Sequence, residues 1–115
     1  KSIEIVYGLR NFIGNANKFS KSKIFINIKS NSDITEITIE DDGEGYPNDV
    51  LRKIGEPYIK SYKSSIKSKS GLGLGIFIGK TLLEKNYANI LCKNSQTRSG
   101  AEIVIRWKNK DLLNL

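Results

Sequence analysis

A chain of 115 residues, 38% hydrophobic and 27% charged, is long enough to bury one core and too short for two, and its composition is that of a soluble globular domain. With no histidine and a single cysteine, Cys92, it excludes an internal disulfide, a Cys/His metal site, Ser/His/Asp catalysis and phosphohistidine formation on its own side chains. The net charge of +7 favours an anionic partner, a nucleotide as readily as a nucleic acid, and no stretch has the length of a membrane span or the form of a signal peptide.

Residues 3–19 carry Val6, Leu9, Phe12, Ile13, Ala16 and Phe19 at helical spacing, which predicts an amphipathic helix with one apolar face. Beside that face, Asn11, Asn15 and Lys18 fall at i, i+4 and i+7, within about 60° of one another. A solvated helix face would account for such a stripe. Asparagine is a poor helix-interior residue, however, and two amide oxygens with an ammonium suit a Mg²⁺–phosphate group. The alternation of Ile24, Ile26 and Ile28, the turn residues "NSD" and the alternation of Ile37 and Ile39 predict an antiparallel hairpin. It ends in "DDGEGYP", residues 41–47. As a turn this needs no further role. A carboxylate at a strand end can also accept a hydrogen bond from the exocyclic amine of adenine, and Gly43 and Gly45 would let the backbone pass close beneath the base.

A short helix is expected at "NDVLRKI", followed by a lysine- and serine-rich loop over residues 55–70. The next stretch, "GLGLGIFIGKT", imitates two phosphate-binding motifs and satisfies neither. Only three residues separate Gly75 from Gly79-Lys80-Thr81, where a P-loop has four, and the Rossmann fingerprint lacks its third glycine. Both motifs also need a buried strand before the glycines, where this chain is polar. Glycines that open an apolar run of helical length can still present N–H groups to an anion. Leu72 to Glu84 is predicted as a mostly buried helix, and "ANILCKN" and "GAEIVIRW" as a second strand pair, with Ala101, Ile103, Ile105 and Trp107 on one face. Cys92 reads as a packing cysteine within that pair. The tail "KNKDLLNL" has no assignment. Helix, hairpin, loop, helix, hairpin is an α+β order: one domain over residues 1–115, a two-layer sandwich with helices on one face of a mixed, mostly antiparallel sheet.

In order and spacing these segments resemble the ATP-binding catalytic domain of sensor histidine kinases, in the superfamily shared with gyrase, heat-shock chaperone and mismatch-repair ATPases. "LRNFIGNANKFS" looks like the N box, "DDGEG" the first glycine box, "IGEPYIKS" the F box and "GLGLG" the second glycine box. "GAEIVIRW" looks like the closing strand, and "GEPY" with "GLGLGIFIGKTLLE" looks most like the RegB type, a redox-responsive branch. The resemblance implies a Bergerat-type fold that binds ATP with Mg²⁺. It implies that Asn15 holds the metal with Asn11 beside it, that Lys18 reaches the phosphates, and that Asp41 binds the adenine amine over Gly43 and Gly45. Tyr58 matches the F-box aromatic, although Gly55 stands where many members carry phenylalanine. Gly71, Gly73 and Gly75 would hinge a lid over residues 55–70, and Phe19, Leu72 and Leu74 join the nucleotide-binding set on the same grounds.

The hydrolases of the superfamily place a glutamate general base four residues before the metal-binding asparagine; here that position is Asn11. The resemblance therefore implies a kinase whose phosphoacceptor histidine lies in a separate helical dimerisation domain absent from this chain, so that the chain alone does not phosphorylate itself. It further implies a response-regulator partner, a homodimeric full-length protein whose membrane anchor, if any, lies outside this segment, and a cytoplasmic location for the catalytic domain. No nucleic-acid partner is expected.

Overall fold

The computed structural model describes residues 2–54, 72–97 and 99–114. In chain order these form α1 (Ser2–Phe19), β1 (Ile24–Ser30), β2 (Ile34–Asp41), α2 (Asn48–Ile54), α3 (Leu72–Lys85), β3 (Asn89–Asn94), β4 (Ala101–Lys108) and α4 (Asn109–Leu112). The four strands make one sheet in the order β1-β2-β4-β3, and each of its three ladders is antiparallel. Both expected hairpins are present, joined through the central β2–β4 pairing.

The register explains which side chains meet. Ile39 faces Ile26 on one side and Ile103 on the other, and Ile37 faces Ile28 and Ile105, so alternate residues of all strands share one face. Helices α1 and α3 cover that face. Phe12, Ala16, Ile39, Ile76, Leu83, Ile103, Ile105 and Trp107 are buried between the two layers. As expected, β4 buries Ala101, Ile103, Ile105 and Trp107 in strict alternation. Ile26 and Ile28, on the edge strand, stay largely exposed although they lie on the helix-facing side.

Helix α1 packs Leu9, Phe12, Ala16 and Phe19 against the core as expected but turns Val6 and Ile13 outward. Val6 is 53% and Ile13 37% exposed, while Ile5, Gly8, Phe12 and Ala16 take the inner face. The reason lies in the α1–α3 contact. A Cβ on Gly79 would stand 2.8 Å from the Phe12 ring and 3.1 Å from the Gly8 carbonyl, so the two helix backbones approach through residues that hydropathy does not score as apolar. Lys85 and Asn86 then reach Glu4 at 3.0 and 3.2 Å.

Just past the end of helix α3, Tyr87 turns the chain in the left-handed region at φ 75, with the Ala88 N–H returning to the Leu83 carbonyl at 3.0 Å. The unassigned tail is a helix because Asn109 docks on the first hairpin: its N–H donates to the Asp33 carbonyl at 2.8 Å and its amide to that of Asn31 at 2.7 Å. Asn31 in turn shapes the hairpin turn, its Oδ1 accepting from the N–H groups of Asp33 and Ile34, both at 2.8 Å. Among the described residues no helix is long and apolar enough to cross a membrane.

Candidate functional site

The end of strand β2 delivers Asp41 into the interior, where it is 4% exposed. A buried carboxylate needs donors, and the backbone supplies them: Gly43 N–H at 2.8 Å and Ala101 N–H at 3.3 Å. Among the described residues both bonds fall on Oδ1. Two glycines make this seat. A side chain on Gly100 would overlap the Asp41 backbone and carboxylate, and one on Gly43 would overlap the Phe19 carbonyl at the end of α1. The "DDGEG" turn is thus pressed between the end of α1 and the start of β4, and its glycines serve close approach as much as turning.

Beyond Gly43 the chain passes Gly45, at φ +83, and is held by Asn94 at the end of β3. The Asn94 amide accepts from the Tyr46 N–H at 2.6 Å and donates to the Tyr46 carbonyl at 3.1 Å. Asn15, Phe19, Asp41, Gly45, Tyr46 and Ala101 together line a narrow pocket of about 30 Å³, close to one water's share of liquid volume. Roomier hollows lie elsewhere: one of about 430 Å³ beside Lys29, Glu36 and Arg106 is formed near the first hairpin turn and holds none of the candidate residues. Burial pushes the Tyr46 hydroxyl well above its ordinary range, with Cys92 and Asp41 adding to the effect. Burial likewise pushes the half-buried Cys92 thiol up to about 12, against the pull of Lys80, which makes it a packing residue rather than a reactive thiolate.

Asn15 reaches this pocket from α1 and also faces α3. Its Oδ1 lies 3.6 Å from where a Cβ on Gly75 would stand, so the N-box helix meets the glycine-opened helix at this pair. Helix α3 begins at Leu72, and Leu72, Gly73, Leu74 and Gly75 therefore form its opening turn, as expected of an apolar helix preceded by glycine. Lys18, exposed on α1, holds its ammonium 5.4 Å from the ring centroid of Phe19, which lines the pocket. Asn11 is not gathered in: its amide donates to the Tyr7 carbonyl of its own helix at 2.8 Å. Gly55, Tyr58, Gly71 and the expected lid over residues 55–70 lie outside the described residues. No group of three His, Cys, Asp or Glu side chains able to hold a metal occurs among the described residues.

Four contributors escape sequence reasoning. Gly100 and Ala101 seat Asp41 from sixty residues away, and Asn94 holds Tyr46 across a separation of 48; a glycine opening the last strand was the one signal present. Asp42, read only as part of a turn, clasps the loop after α1. Its Oδ1 accepts from the N–H groups of Lys21, Ser22 and Lys23, and its Oδ2 from the Ser22 hydroxyl. Those bonds, led by the Ser22 hydroxyl, hold its carboxyl well below the usual carboxylate range.

The family described as "Histidine kinase-, DNA gyrase B-, and HSP90-like ATPase" matches residues 1–111. The chain is 40% identical over 120 residues to the sensor histidine kinase RegB of Cereibacter sphaeroides, a match that covers 90% of this chain and 26% of that protein. It thus spans about a quarter of the length of this curated relative. Its fold is that of the mycobacterial sensor histidine kinase MprB, with a TM-score of 0.69 at 21% identity over 94% of this chain and 72% of that one. Full-length ShkA, solved in complex with AMPPNP, gives a TM-score of 0.65 at 22% identity over 90% of this chain and 21% of that one.

Proposed function

Because the chain belongs to the family of histidine kinase-, DNA gyrase B- and HSP90-like ATPases, we propose that it is the ATP-binding catalytic domain of a two-component sensor histidine kinase. One observation carries the nucleotide site: Asp41, buried and held through one oxygen, lines a pocket shared with Asn15 and Phe19. The second carboxylate oxygen would accept from the exocyclic amine of adenine, a charge-assisted bond in a site of low dielectric. Guanine presents a carbonyl there and is repelled. The 30 Å³ pocket has room for a bridging water and must widen to admit the base.

From the base, the triphosphate would run past Phe19 and Lys18 towards the opening turn of α3, whose unpaired N–H groups favour an anion. The side-chain oxygen of Asn15, facing Gly75, is a hard donor placed where the phosphates would pass, which fits Mg²⁺ taking most of its ligands from phosphate and water. Bound there, Mg²⁺ would neutralise developing charge on the phosphates. The chain's own part is orientation and charge neutralisation, with Lys18 and the α3 backbone N–H groups holding the phosphates for transfer of the γ-phosphoryl group. Asn11 carries no basic group and is bonded to its own helix, so no side chain at that position activates water. The acceptor is a histidine of a separate helical dimerisation domain of the same cytoplasmic kinase, and the phosphoryl group passes on to a response regulator.

Calorimetric titration with ATP and Mg²⁺ tests the site. Asp41→Asn is expected to lose about 1.5–3 kcal/mol of binding free energy, the worth of a charged hydrogen bond. Unchanged affinity would remove the adenine assignment.

A further inference from the structure

Resting on the nucleotide site proposed above, the geometry points to Asp42 as a positioning residue: it ties the exit of helix α1 to the end of strand β2 and so sets the gap between Asn15 on the phosphate side and Asp41 on the base side. Two elements carry these groups, and they are joined in sequence only through β1 and its hairpin turn. Asp42 joins them directly. Its Oδ1 accepts from three consecutive backbone N–H groups, Lys21 at 2.9 Å, Ser22 at 3.0 Å and Lys23 at 3.2 Å, and its Oδ2 from the Ser22 hydroxyl at 2.7 Å. Successive N–H groups converging on one oxygen form an anion-holding nest, and here the occupant is the chain's own carboxylate.

The neighbouring residues give the clasp its consequence. Asp41 is the seated carboxylate of the pocket, and Gly43 lies so close to the Phe19 carbonyl that no side chain fits between them. Three consecutive residues therefore face the base site, fasten the loop after α1 and abut the last residue of α1. Since Asn15 and Phe19 occupy the last turns of that helix, loosening the 21–23 loop changes their distance from Asp41 without unseating Asp41, whose own donors come from Gly43 and Ala101. A ligand that touches both ends of the site feels that change, and one that touches only the base end does not.

The test compares ATP with Mg²⁺ and adenosine alone as probes, by calorimetry and by NMR titration respectively, on the full 115-residue chain. Asp42→Ala is expected to weaken ATP on the order of tenfold while adenosine stays within about twofold. Asp42→Asn, whose amide oxygen still accepts from the three N–H groups, recovers most of the ATP affinity. Equal losses for both probes, or no loss for either, would overturn the clasp as a positioning device. Asp41→Asn serves as the control. If it leaves adenosine binding unchanged, the base assignment itself fails and the clasp with it; if it abolishes that binding while Asp42→Ala shows no selective loss, only the clasp fails. Should Asp42→Ala not fold, Ser22→Ala, which removes a single donor, is expected to weaken ATP about threefold relative to adenosine, and an unchanged ratio overturns the proposal.

Discussion

Asp41 and Asp42 are adjacent carboxylates with different surroundings, one buried on backbone donors of β4 and its own turn, the other partly exposed in a nest of three N–H groups and a hydroxyl. The difference has a pH signature. Because the folded-state pKa of Asp42 is depressed, its contribution to folding is fully present above the unfolded value, about 3.9, and is lost as pH falls through the lower folded value. In urea titrations from neutral pH down to about pH 2, the wild-type chain is therefore expected to start more stable than Asp42→Asn and to converge on it in acid. Curves that stay parallel would contradict the assignment. The candidate residues legible in the sequence were those whose type alone announces chemistry, an asparagine within a helix and an acid at a strand end. Asp42, Asn94 and Ala101 were not, because each acts on a partner between 19 and 60 residues away, and no spacing rule connects them.

At the level of elements, periodicity located both long helices, the short α2 and all four strands, since each presents an apolar stripe or alternation to a single core. It misplaced Val6 and Ile13 on the inner face of α1 because part of that surface is Gly8 and Asn15, facing α3 rather than the sheet. It left the tail blank because α4 is held by the amide and backbone of Asn109 on the first hairpin, a contact without periodicity. The end of α3 shows a local conflict of another kind. Tyr87 occupies a left-handed position that glycine adopts without strain, and its side chain is 60% exposed. Tyr87→Gly is accordingly expected to stabilise the chain by about 0.5–1 kcal/mol, read as a rise in thermal midpoint; a fall would show that the exposed ring makes a contribution larger than the strain.

Taken whole, the molecule is a sheet whose helix-covered face positions one end of α1, one end of β2 and the start of β4 around a small pocket, with the first turn of α3 beside Asn15. The fold class was readable from element order, whereas the convergence was not, because it depends on β2 pairing with β4 instead of with its neighbour in sequence alone. On the proposed reading, Asn11 in place of a glutamate base separates transfer to a partner from hydrolysis, and the absence of histidine from the chain puts the acceptor elsewhere. The most direct measurement is incubation of this chain with γ-labelled ATP, Mg²⁺ and the histidine-bearing helical domain that the proposed function requires. The account predicts acid-labile label on the helical domain's histidine, none on this chain, and no appreciable release of free phosphate when the helical domain is omitted. Rapid phosphate release without the acceptor, or an unlabelled acceptor with ATP demonstrably bound, would contradict it.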